Sequence, residues 1–100
     1  MHARTTTIEG DPGAIDAAVS EVRAGVLPLL EQQAGFKGFT LHVNRSSGKV
    51  VGTSYWDSQE AMDASEDAVR GPREEAARSG GASGSPVVEQ FEVAIDTTAE

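Results

Sequence analysis

The spacing of apolar residues changes once along this chain, and the change constrains the fold more than any other feature. Ile15, Val19, Val22, Val26, Leu29 and Leu30 recur mostly at intervals of three and four, which lays one apolar stripe along a helix. From Phe36 the interval is two. Phe39, Leu41 and Val43 point one way, and Gly38, Thr40, His42 and Asn44 the other, as in a half-buried strand. A chain carrying both periods in succession must pack a helical layer on a sheet. The helix has a start signal in Gly10-Asp11-Pro12, a capping carboxylate directly before a proline suited to the first helical position. Pro28 predicts a kink or break near its end, with a terminus by Gly35.

Arg45-Ser46-Ser47-Gly48-Lys49 reads as the turn of an antiparallel hairpin whose second strand, Val50 to Trp56, is rich in β-branched and aromatic residues. Asp57-Ser58-Gln59-Glu60 has the capping-box pattern, with Asp57 at the cap and Glu60 three residues on. It opens a second helix with Ala61, Met62, Ala64, Ala68 and Val69 as its expected buried side, stopping at Arg70-Gly71-Pro72; Pro72 is expected to open a further short helix to about Arg78. Ser79 to Ser85 is a Gly/Ser-rich connector, and Pro86 to Asp96 reads as the last strand. With a short Thr-rich strand from Ala3 to Ile8, the order is β-α-β-β-α-β. The fold class is therefore α+β: a ferredoxin-like sandwich with an antiparallel four-stranded sheet. Phe39, Leu41 and Val43 are expected to share one apolar sheet face with Phe91, Val93 and Ile95, while the adjacent Tyr55 and Trp56 must point to opposite faces. Two helices cover only one face. A large aromatic on each face argues for a partner on the uncovered one, most economically a second copy related by two-fold symmetry.

Composition narrows the function classes. One hundred residues suit one domain, residues 1–100, and a hydrophobic fraction of 38% makes for a small core that gains from pairing. The formal charge is -8, but residues 32–56 hold no acid and three bases, while residues 57–100 hold eleven acids and three bases. Such a chain is repelled by phosphate backbones, so no nucleic-acid partner is expected. No apolar run reaches the ~20 residues of a membrane span, so no membrane partner is expected and the cytoplasm is the default location. With no Cys and only His2 and His42, a thiolate zinc site, a His-rich metal cluster and a Cys nucleophile are excluded. Glu60, Asp63, Glu66 and Asp67 lack the glycine-bearing loop of a calcium site and read as a solvated acidic face.

Gly35-Phe36-Lys37-Gly38-Phe39, Gly48-Lys49-Val50-Val51 and Ser54-Tyr55-Trp56-Asp57-Ser58-Gln59-Glu60-Ala61 together resemble the antibiotic biosynthesis monooxygenase-type domains of the dimeric α+β barrel superfamily. The resemblance implies ferredoxin-like protomers pairing face to face as a homodimer. It also implies cofactor-independent oxidation of a small aromatic or polyketide-like compound by dioxygen, or, in other members, haem degradation. Haem-degrading members use an asparagine on the first strand and a histidine on the second helix. Here the first strand offers Thr5, Thr6 and Thr7, and the second helix has no His, so haem degradation of that type is not expected. No cofactor and no metal are expected.

Six residues are the candidates for chemistry. Trp56, the only indole, matches the family's tryptophan at the end of the third strand; it either positions a planar ligand or fills the gap between helix and sheet. His42 is the candidate base, because imidazole is the side chain suited to proton transfer near neutral pH, with Thr40 and Asn44 on its strand face as hydrogen-bonding neighbours; a solvated or interface histidine is the alternative. Ser54 lies two residues before Trp56, and Tyr55 offers a phenolic proton or interface packing. The competing reading of the whole chain is a non-catalytic small-ligand-binding or structural dimer, and fold alone does not choose between them.

Overall fold

The computed structural model describes residues 1–98. The strands are β1 (His2–Glu9), β2 (Phe36–Val43), β3 (Lys49–Trp56) and β4 (Val87–Glu92), in the sheet order β2-β3-β1-β4 with every neighbouring pair antiparallel. Between β1 and β2 run a 3-10 turn (Pro12–Ala14), α1 (Ile15–Glu21), a π turn (Val22–Val26) and α2 (Leu27–Glu31). After β3 come α3 (Gln59–Ala64) and α4 (Glu66–Ser79). This is the ferredoxin-like α+β arrangement expected from the periodicity.

The helix start is as expected: Asp11 caps the first turn, its Oδ1 accepting from Gly13 N–H at 2.8 Å. Near Pro28 the helical path continues, because the π turn just before it widens the coil. Leu27 N–H donates to Val22, five residues back, the local adjustment that lets a helix carry a proline. Three other local expectations are corrected. Ser58, not Asp57, caps α3, its hydroxyl accepting from Ala61 N–H at 3.1 Å; Asp57 instead donates its backbone N–H to Gly35 at 2.9 Å. The second helical stretch breaks at Ser65, and α4 runs through Gly71-Pro72 without stopping. Ser65 is buried, its hydroxyl donating to the Met62 carbonyl at 2.7 Å, so the joint is held from inside. The carbonyl that Pro72 leaves without an amide belongs to exposed Ala68, where water serves. Ala64 and Ala68 therefore lie outside, and Val69, Arg73, Ala76 and Ala77 form the buried side of α4.

Strand register sorts the side chains into two faces. Phe39, Leu41 and Val43 of β2 face the helices with Val50, Gly52, Ser54 and Trp56 of β3 and Arg4, Thr6 and Ile8 of β1. The one-residue irregularity between Phe36 and Gly38 turns Phe36 to the same side, edge-on to Trp56 with ring centroids 5.5 Å apart. Phe91 is corrected to the opposite face. It pairs with Ala3, one residue out of phase with Arg4, so it lies with Tyr55 and Val87 on the uncovered side and is 49% exposed. Val93 follows β4, its N–H donating to Met1, and Ile95 lies beyond the strand, exposed. Tyr55 and Trp56 point to opposite faces as expected.

Two core clusters fill the space between the layers. Val22, Val26, Leu30, Trp56, Met62, Val69 and Ala76 form one; Ile8, Ile15, Val50 and Ala77 form the other.

Candidate functional site

A cavity of about 50 Å³ lies where the two clusters meet, room for roughly three or four water molecules. With its mouth to solvent included, the atom-free space is about 480 Å³. Its walls are mainly apolar: Val22, Val26 and Leu30 from the first helical segment, Phe39 and Leu41 from β2, Val69 from α4. Gly52 forms part of the floor; a Cβ there would stand 3.2 Å from the Phe39 ring, so glycine lets that ring lie flat on the strand. Four polar side chains reach the cavity: Arg4, Thr6, Ser54 and Arg73. Among the described residues, no Asp, Glu or His lines it.

The two arginines share one carboxylate. Arg73 grips Glu66 with both Nη atoms at 2.8 Å, a bidentate fork, and Arg4 Nη1 reaches the same carboxylate at 3.4 Å while donating to the Met62 carbonyl at 3.0 Å. Arg4 is 2% exposed and its guanidinium lies 5.4 Å from the Trp56 ring centroid, a cation–π contact in dry surroundings. Burial lowers the Arg4 pKa from the usual guanidinium value; repulsion from Arg73 adds to this, and Glu66 opposes it. Hydrogen bonding to Arg73 holds the Glu66 carboxyl below its ordinary value, against the opposing effect of burial. Glu66 is thus not part of a solvated acidic face; Glu60, Asp63 and Asp67 remain exposed, with Asp63 accepting from Gln90 of β4.

The six candidate residues separate. Trp56 is fully buried behind the cavity wall rather than in it, its Nε1–H donating to Ser54 Oγ at 2.9 Å. Ser54 lines the cavity, so the pair connects the indole to the cavity through one hydroxyl. His42 and Thr40 are exposed on the other face of the sheet, and Tyr55 is half-buried on that face. The Asn44 side chain is used in the hairpin turn, its Oδ1 accepting from Ser46 N–H and Ser47 N–H. Sequence reasoning missed Arg4, Thr6, Glu66 and Arg73. The signal was present for Arg4, which shares the inward parity of Ile8, and for Glu66 and Arg73, seven residues apart on one helix face. The Ser79–Ser85 connector is tied back to β1, with Ser83 N–H on the Glu9 carbonyl, and none of its residues lines the cavity. Among the described residues no group of three or more His, Cys, Asp or Glu is placed to hold a metal ion, and no helix is long and apolar enough to cross a membrane.

Known proteins share this frame. Two uncharacterized proteins of Mycobacterium tuberculosis, Rv2557 and Rv2558, are each 39% identical to the chain, over 94% and 95% of its length respectively. The chain spans only 41% and 39% of these relatives. Among solved structures, the ActVA-Orf6 monooxygenase of Streptomyces coelicolor, in complex with nanaomycin D, superposes with a TM-score of 0.80 at 19% identity, covering 99% of this chain and 92% of that one. Rv0793 of Mycobacterium tuberculosis superposes at 0.74 with 15% identity, covering 97% and 98%. At such identities the likeness is one of fold. The sequence model of the antibiotic biosynthesis monooxygenase family matches residues 1–70, which with the sheet order and helical layer establishes that the chain belongs to that family.

Proposed function

We propose that the cavity between helices and sheet takes a small aromatic or polyketide-like compound and that the protein oxidises it with dioxygen without a cofactor. The observation that carries this reading is a mostly apolar cavity lined by four polar side chains, in a chain of a monooxygenase family. With an anthrone as substrate, the ring methylene loses a proton and the carbanion adds dioxygen to give a hydroperoxide. Loss of water then leaves a carbonyl. One oxygen atom stays on carbon and the other leaves as water with both methylene hydrogens, so the substrate supplies all four electrons. The protein's task is to position the substrate, favour its anion and exclude water. Trp56 is a positioning residue in this reading, acting through Ser54 and through the Arg4 guanidinium it supports. The uncovered sheet face, with Tyr55, Val87 and Phe91, would pair two copies, and Thr40 and His42 on that face would serve the pairing.

Oxygen uptake with anthrone, coupled one-to-one to anthraquinone formation, is the test. Turnover is expected to fall in Trp56→Phe, chiefly through a raised KM, if the folded dimer persists. A second reading, binding without turnover, is favoured by the lack of any carboxylate or imidazole lining the cavity among the described residues. Saturable quenching of the single Trp by an aromatic ligand, with no oxygen consumed, would establish that reading and end the first.

A further inference from the structure

The polar groups of the cavity are unbalanced in one direction. Arg4 and Arg73 bring two positive charges, and the one carboxylate they share, Glu66, is fully engaged by the Arg73 fork. Arg4 is the less tightly held partner: its hydrogen bonds to Met62 and Glu66 both run from Nη1, the one to Glu66 at 3.4 Å, and the residue lines the cavity while being only 2% exposed. The nearby Asp63 adds a weaker favourable charge for Arg4, but it is exposed and accepts from Gln90 at the surface. Ser54 Oγ already accepts from Trp56 Nε1, which leaves its own hydrogen to be donated elsewhere. Thr6 adds a second hydroxyl on the same sheet face. A largely buried cation that lines an apolar chamber and shares its one carboxylate with a second arginine is complementary to one kind of guest.

We infer that this cavity is an oxyanion pocket. Its ligand is an aromatic compound carrying a carboxylate or phenolate, with the ring against Val26, Leu30, Phe39 and Val69 and the oxyanion on Arg4 and Ser54. The Trp56 ring, 5.4 Å from the guanidinium, and the Met62 carbonyl hold Arg4 in place before a guest arrives. The inference rests on the proposed reading of the cavity as the ligand site and deepens it. A phenol or enol bound there is held as its anion, the form that reacts with dioxygen, without a protein base lining the cavity.

The decisive experiment titrates the wild-type protein with 1-naphthoate and with its neutral isostere 1-naphthamide, followed by calorimetry and Trp fluorescence at neutral pH. The anion is expected to bind at least about 10-fold more tightly, the scale of a charge-assisted hydrogen bond, and 1-naphthol is expected to titrate at least about one pH unit lower when bound. Equal binding of naphthoate and naphthamide would overturn the oxyanion pocket while leaving the ligand site standing; binding of neither would overturn both. In Arg4→Gln the preference is expected to fall to near unity with naphthamide affinity kept, and a preference that survives in the folded variant would also refute the assignment. Should that variant fail to fold, the wild-type ligand pair and the naphthol titration still decide the matter.

Discussion

Glu66 shows how much a single side chain can depend on a residue far away in sequence. Its carboxylate holds Arg73 one helical face along and Arg4 across 62 residues, and its pKa is lowered mainly by the Arg73 hydrogen bonds. A carboxylate with a depressed folded pKa contributes stability that is fully present above its unfolded value, near 4.5, and is lost as pH falls through the folded value. The urea midpoint is therefore expected to drop between about pH 5 and pH 3, and Glu66→Gln to show a shallower drop over that window. At neutral pH, Glu66→Gln is expected to cost roughly 2–4 kcal/mol, below the full penalty for breaking a buried pair because the carboxylate is 28% exposed. An unchanged urea midpoint in that variant would mean that the two guanidiniums find solvent on their own. Trp56 was legible from sequence as an aromatic on the face opposite Tyr55, and the structure decided that this face is the inward one. Arg4 was not, because a strand arginine reads as solvated until its partners from another element are known.

At the scale of elements, the helix caps and breaks separate what local chemistry determines from what packing determines. Asp57 and Ser58 are both good caps, and sequence alone favoured Asp57 through the Glu60 spacing; the backbone bond from Asp57 to Gly35 takes Asp57 into the end of β3 and leaves the cap to Ser58. Ser58→Ala is accordingly expected to lower stability by about 0.5–2 kcal/mol in urea denaturation, and Asp57→Ala by distinctly less. The opposite ranking would restore the capping box. Gly71-Pro72 is a strong stop signal in isolation, yet α4 passes through it because Val69, Arg73, Ala76 and Ala77 bury one continuous face. Tertiary burial outweighs one missing amide at a position where water can replace it.

For the whole molecule, the uncovered sheet face governs behaviour. Val87 and Phe91 are 55% and 49% exposed beside half-buried Tyr55, an apolar surface opposite the helical layer. Light scattering at micromolar concentration is expected to give the mass of a dimer, and Phe91→Glu to give that of a monomer, since a charge buried in the paired sheet face has no partner. A monomeric wild type would remove the pairing from the proposed function and leave the cavity argument untouched. The element order, the two-layer architecture, the shared apolar face of Phe39, Leu41 and Val43 and the opposition of Tyr55 and Trp56 were determined by the sequence itself, because side-chain alternation and helical spacing are properties of consecutive residues. Strand register and helix docking alone decided that Phe91 faces outward, that His42 and Trp56 lie on opposite faces, and that Arg4, Ser54 and Arg73 meet at one cavity with Glu66 joining the two arginines. Within a strand, parity says which residues share a face. Which face that is, and what meets it, depends on pairings between residues distant in sequence, as His2 with Trp56 and His2 with Glu92, whose energies appear only once the layers are packed.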